Sequence, residues 1–129
     1  MADIIKYPKA GSSDTALAVD TSGNATIGGT ITNAAQLVTI SGSTGTLTPT
    51  SSVVVLTTDA TLALTLANPS AAGQRLTIIN TAATDIDITI ADASNLEIAG
   101  SSVVLEPEDT VEFVAKSAAV WVQVGTSNN

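Results

Sequence analysis

The sequence predicts an all-β protein, and three observations carry that prediction. Apolar and polar residues alternate with period 2 in run after run of the later part of the chain. These runs recur about every nine residues, and the composition is dominated by 20 Thr, 13 Ser, 12 Val, 11 Ile and 10 Leu. Period 2 sends successive side chains to opposite faces of a strand, and β-branched residues fit a pleated, half-buried surface. No segment shows a helical period, and Ala71-Ala72 and Ala82-Ala83 are too short to nucleate a helix. The expected architecture is a compact β-sandwich or jelly-roll-like C-terminal domain, preceded by a thin Gly/Thr-rich β segment and an extended N-terminal arm.

Residues 1–18 read as the arm. Ile4, Ile5, Tyr7 and Pro8 stand beside Lys6 and Lys9, which makes this the one locally basic, mildly apolar patch. It is either a frayed terminus or a strip that lies on a partner. Residues 19–50 read as the thin segment, with Thr-Ile units punctuated by glycine in Val19–Ile31 and Leu37–Leu47. Thr26-Ile-Gly-Gly-Thr-Ile is echoed 13 residues later by Thr39-Ile-Ser-Gly, and six of the nine glycines fall in the first 50 residues. Residues 11–50 hold only 8 Val, Ile or Leu, against 23 in residues 51–129. So few apolar side chains offset little of the entropy lost on ordering the segment. Other chains, identical copies or a larger partner, are therefore expected to order it. Its scarce apolar residues, Ile27, Ile31, Leu37, Ile40 and Leu47, are the expected interchain contacts, and the trimer contacts if those chains are two identical copies.

Residues 51–126 read as a compact antiparallel β domain. Alternation is clean in Thr61–Leu66, Asp85–Ile90, Thr110–Phe113 and Val120–Val124, and less regular apolar runs lie at 53–57, 76–79, 95–99 and 102–105. Turn-forming stretches separate them: 68–73, 80–84, 92–95, 99–102 and Glu106-Pro-Glu-Asp109. Eight short strands at this spacing are the pattern of a sandwich or barrel.

Composition also excludes chemistry. The chain has no His and no Cys, so the usual proton shuttle, the thiolate nucleophile, the disulfide and the common zinc ligands are missing. Four Lys and Arg against 12 Asp and Glu give a net charge of −8, which repels nucleic-acid phosphate and anionic membrane surfaces alike. The apolar runs are far shorter than the ~20 residues of a membrane helix. Met1–Ala10 has no basic stretch followed by an apolar one, so no secretory signal is expected and the chain is expected to start in the cytoplasm.

Four features were weighed as sites. Asp85 and Asp87 flank Ile86, which on a strand would set two carboxylates ~7 Å apart on one face, a spacing open to a cation or an acid/base pair. The preferred reading is a solvated face, with Ile86, Ile88 and Ile90 turned inward; a calcium loop adds a third carboxylate and a glycine turn. Glu106-Pro-Glu-Asp109 is read as a solvated turn rather than a cation site. Trp121 is expected to pack against a neighbouring layer with its indole N–H on a backbone carbonyl, since sugar stacking usually takes several exposed aromatics and the chain has three. The abundant Ser and Thr have no base beside them, and neither a nucleophile elbow nor a phosphate loop is present. No catalytic residue, metal site or cofactor is expected. A carboxylate-only hydrolase built on Asp85, Asp87 or Glu97 is the remaining enzymatic alternative.

Two sets of residues carry a family resemblance. Val19-Asp-Thr-Ser-Gly-Asn-Ala-Thr-Ile-Gly-Gly-Thr-Ile31 resembles segments of trimeric phage fibre and head proteins, in which Thr/Ile/Gly strands from three chains interweave. Gly73-Gln-Arg-Leu-Thr-Ile-Ile-Asn80, Ile86-Asp-Ile-Thr-Ile90, Leu105-Glu-Pro-Glu-Asp-Thr-Val-Glu-Phe113 and Val120-Trp-Val-Gln-Val124 are similar to the small β-domains of phage head decoration and head-fibre proteins. Their turn often reads Pro-Gly-Asp, and here Glu108 stands in the glycine's place. The resemblance implies a non-enzymatic virion protein that decorates and stabilises the outside of a phage capsid as a homotrimer, assembled in the host cytoplasm. It also implies the major capsid protein as partner, with Ile4, Ile5, Lys6, Tyr7, Pro8 and Lys9 as capsid-contact candidates. The alternative is a head-fibre or tail-fibre tip that binds a host-surface glycan.

Overall fold

The computed structural model describes residues 34–129 throughout and, before them, the backbone of three strands at 5–8, 15–19 and 25–27. The chain divides into two units, Met1–Thr32 and Asn33–Asn129.

In the first unit, β1 (Ile5–Pro8), β2 (Thr15–Val19) and β3 (Ala25–Ile27) form an antiparallel sheet in the order β1-β2-β3. Ile5 faces Val19, and Leu17 faces both Tyr7 and Ile27. The register shifts between Tyr7 and Pro8, where proline brings no N–H to the ladder. Residues 5–8 are thus a paired strand rather than a free arm, and the boundary expected after residue 18 falls inside β2.

The second unit is a β-sandwich of ten strands: β4 (Gln36–Ile40), β5 (Thr44–Leu47), β6 (Val53–Thr58), β7 (Leu62–Leu66), β8 (Arg75–Asn80), β9 (Ile88–Ala91), β10 (Leu96–Glu97), β11 (Ser102–Leu105), β12 (Thr110–Ala115) and β13 (Trp121–Ser127). A six-stranded sheet runs β10-β13-β12-β8-β6-β4, and a four-stranded sheet runs β11-β9-β7-β5. All eight strands expected after residue 50 are present. From β4 to β9 consecutive strands alternate between the sheets, so the chain winds as a coil whose successive turns pair in parallel: β4 with β6 and β6 with β8 in one sheet, β5 with β7 and β7 with β9 in the other. A parallel pair needs a long crossover, and here the crossover is a strand of the opposite sheet instead of a helix. The winding then reverses, as β11 adds antiparallel to β9, β12 to β8 and β13 to β12.

Two expectations are corrected by this topology. The domain is mixed rather than antiparallel, because period 2 reports which face a side chain takes and not the direction of the neighbouring strand. The sandwich also begins at residue 33, not 51. The segment 36–47 forms the first turn of the coil and lays its apolar residues on the core of the same chain. Leu47 is 1% exposed within that core, and Val38 and Ile40 pack against it. Leu47 therefore has no surface left for a second chain, and the expected trimer contact there is withdrawn.

The core lies between the sheets and is almost wholly aliphatic. Val54, Leu56, Leu62, Leu64, Leu66, Leu76, Ile78, Ile88, Ile90 and Leu105 alternate with half-buried or exposed neighbours, and Phe113 of β12 and Trp121 of β13 complete the core. The corners of the coil hold to one another. Gly42, at φ 90° between β4 and β5, donates its N–H to Asp59 Oδ1 at 2.8 Å, in the corner between β6 and β7. Gly45 is fixed by space, since a Cβ there would lie 2.6 Å from Ile40 Cγ2.

Leu47→Ala should lower the unfolding free energy by ~2–5 kcal/mol, equally at every protein concentration, in urea titrations. A loss that disappeared on dilution would return Leu47 to an interchain role. The Gly42 amide holds the Asp59 carboxyl below its ordinary 3.8, so its contribution is complete above that value and fades as pH falls through the lower folded value. Thermal midpoints of wild type and Asp59→Asn should accordingly differ at neutral pH and converge below about pH 3.8. A gap that widened in acid would contradict this origin.

Candidate functional site

A cavity of about 430 Å³ in the second unit is a groove lined by Thr84, Asp85, Asp87, Glu106 and Pro107. It forms where β8 hands over to β9 and β11 to β12. Its floor is built around Asn80, the last residue of β8, which is fully buried. Asn80 Nδ2 donates to the carbonyls of Ile86 (3.1 Å) and Leu105 (2.9 Å), while its Oδ1 accepts from the Ala82 N–H (2.9 Å). Its main chain adds two bonds, N–H to Asp109 O at 3.0 Å and C=O from Glu108 N–H at 2.8 Å. One side chain thereby ties the larger sheet to the start of β9 and the end of β11 in the smaller one. Removing it would orphan buried carbonyls, each at a cost of ~1–3 kcal/mol.

Two turns form the walls. In the first, the Ile86 N–H donates to Ala83 O at 3.2 Å, and Asp85 sits at φ 66°, the left-handed region that Asp tolerates better than most residues. The strand begins only at Ile88, so Asp85 and Asp87 belong to a turn and its exit and do not share a strand face. Ile88 and Ile90 are buried as the alternation predicts. The second wall is Glu106-Pro-Glu-Asp109, a turn closed by Asp109 N–H to Glu106 O at 3.1 Å and by Glu106 N–H to Asp109 Oδ2 at 3.1 Å. Asp109 is buried, and its Oδ1 accepts the Asn129 N–H at 2.8 Å. Glu108 stands at φ 74°.

The groove is acidic, open and poor in chemistry. Asp85, Asp87 and Glu106 meet no Lys, Arg or hydroxyl nucleophile other than Thr84 in its lining. Among the described residues no group of three acids is placed to hold a metal ion. Glu97, the third carboxylate weighed for hydrolysis, lies away from the groove on β10, in an exposed ion pair with Lys116.

Aromatic recognition is not offered by this unit either. Trp121 is 0% exposed and donates its Nε1–H to Ala67 O at 2.9 Å, as expected of it, and Phe113 is buried beside it. Asn95 reinforces that end of the sandwich, with Nδ2 donating to Leu66 O at 2.7 Å and its carbonyl accepting the Trp121 N–H at 2.9 Å.

The remaining candidates are scattered. Ile5, Lys6, Tyr7 and Pro8 lie in β1 and Ile27 in β3, while Ile4, Lys9 and Ile31 lie outside the described residues. Leu37 is 79% exposed on β4 and Ile40 is turned to the core. Sequence reasoning missed Asn80, Asn95 and Asp109; a polar residue abutting an apolar run at a turn was the available signal.

Residues 30–122 match the family model described as the phage depolymerase C-terminal beta sandwich domain. No curated protein matches. The matched stretch includes the turn at Glu108, whose φ of 74° lies in the left-handed region that favours glycine. Glu108→Gly should raise stability by ~0.5–1 kcal/mol, because glycine relieves the left-handed strain and gives part of the gain back as unfolded-chain entropy. A lower thermal midpoint for that variant would contradict the account.

Proposed function

We propose a structural role in the phage particle for this chain, which belongs to the phage depolymerase C-terminal β-sandwich family. It is a phage virion protein of tail or fibre type, and the finer reading is a non-enzymatic domain of a tail fibre or spike that works as a homotrimer. The family match carries the reading. What supports its non-enzymatic part is that Asp85, Asp87 and Glu106 lie on two turns of an open groove with no aromatic in its lining to seat a sugar ring. A rigid aliphatic sandwich with satisfied ends suits a load-bearing part.

Capsid decoration, with the major capsid protein as partner, remains the second reading, favoured by the resemblance of residues 19–31 and 73–124 to head proteins. The two differ in where the chain sits on the particle. Antibody-gold labelling of purified particles should mark the tail; labelling spread over the head would overturn the fibre assignment in favour of decoration. Incubation of the purified chain with host capsular polysaccharide should release no reducing ends, and release would overturn the non-enzymatic reading.

A further inference from the structure

Of the four strands that end the two sheets, two lie at the start of the coil and two at its close, and they are built differently. At the close, β10 is only two residues long and its Glu97 pairs with Lys116, while β11 runs directly into the acidic Glu106-Pro107; β5 meets a proline at the same distance, Pro49, but with the uncharged Thr48 before it. Short length, charge and proline are the usual means of keeping a sheet edge from pairing with another chain. At the start, β4 and β5 are five and four residues long, their registers to β6 and β7 are unbroken, and neither holds a charge or a proline. Among the described residues neither has a second neighbour. Leu37 is 79% exposed on β4, and Thr39 is exposed beside it.

Charge marks the same end. No charged residue occurs between Asp20 and Asp59, whereas nine acidic and two basic residues follow from Asp59 onward. Two copies of such a chain bring acid against acid over most of their surfaces. Charge opposes contact least along a long neutral stretch, and the β4 and β5 edge lies in the longest one, between Asp20 and Asp59.

We propose that this paired edge is where a second copy of the chain adds, strand to strand. The inference rests on the homotrimer reading above and deepens it by naming the surface. Main-chain N–H and C=O groups supply the bonds, as in other strand additions, and Leu37 supplies apolar area. The uncharged edge acts as a designed contact rather than an unguarded one.

The test is the mass of the full chain by light scattering, with circular dichroism as the folding control. Wild type should be a multiple of 12.9 kDa. Leu37→Lys with Thr39→Lys places two like charges on the edge of each copy, at exposed sites that leave the core untouched, and should reduce the mass to that of one folded chain. Val104→Lys, at an exposed position on β11, should leave the assembly intact. An assembled, folded Leu37→Lys/Thr39→Lys variant would overturn the edge proposal while the homotrimer reading stands. A wild-type chain that stayed monomeric at all concentrations would overturn both. Amide exchange of β4 and β5 should slow as wild-type concentration rises, and concentration-independent exchange there would also overturn the proposal.

Discussion

Asn80 joins the parallel coil to the antiparallel strands that close it. From β4 to β9 every turn of the chain pairs in parallel with the one before; β11, β12 and β13 are then added antiparallel. Such a junction leaves main-chain groups at the lead-in to β9 and the end of β11 turned away from the water that would otherwise satisfy them. The two donors and one acceptor of a single buried amide do so at Ile86, Leu105 and Ala82. An aliphatic residue would fill the space and leave those groups bare. Asp109 performs the parallel task one turn away, with its carboxylate accepting main-chain N–H groups from Glu106 and Asn129.

With that junction fixed, the remainder of the sandwich is packing. A coil that alternates between two sheets puts each apolar residue opposite one from the neighbouring half-turn, so Leu, Ile and Val suffice and aromatics are needed only under β12 and β13. The two Asn-centred ends are satisfied within the chain, and the acidic groove beside Asn80 is their by-product as much as a site. The first turn of the coil is neutral and the later part acidic, so the charge of −8 is spread unevenly along the chain.

The strands after residue 50 were legible because alternation acts locally: Thr61–Leu66 announces its inward and outward faces without knowing its neighbours. Glu108 was legible as an oddity, and its φ supplied the reason. The Asp85–Ile90 run misled in its first half, since a turn can carry the same alternation as a strand until a left-handed residue breaks it. Residues 36–47 were misjudged because their own apolar content is low, and counting it ignored the core presented by β6 to β9. Asn80 was hidden in plain view as a turn residue, because its value lies in carbonyls 6 and 25 positions away.

The sequence by itself determined an all-β, aliphatic, His- and Cys-free chain with its charge confined largely to one part, because composition and period 2 follow from residue type alone. The tertiary structure decided the parallel winding, the true start of the sandwich, the burial of Leu47 and the exposure of Leu37. These depend on which strands become neighbours, and that choice is made by the fit of distant side chains across a shared core. No local pattern records it.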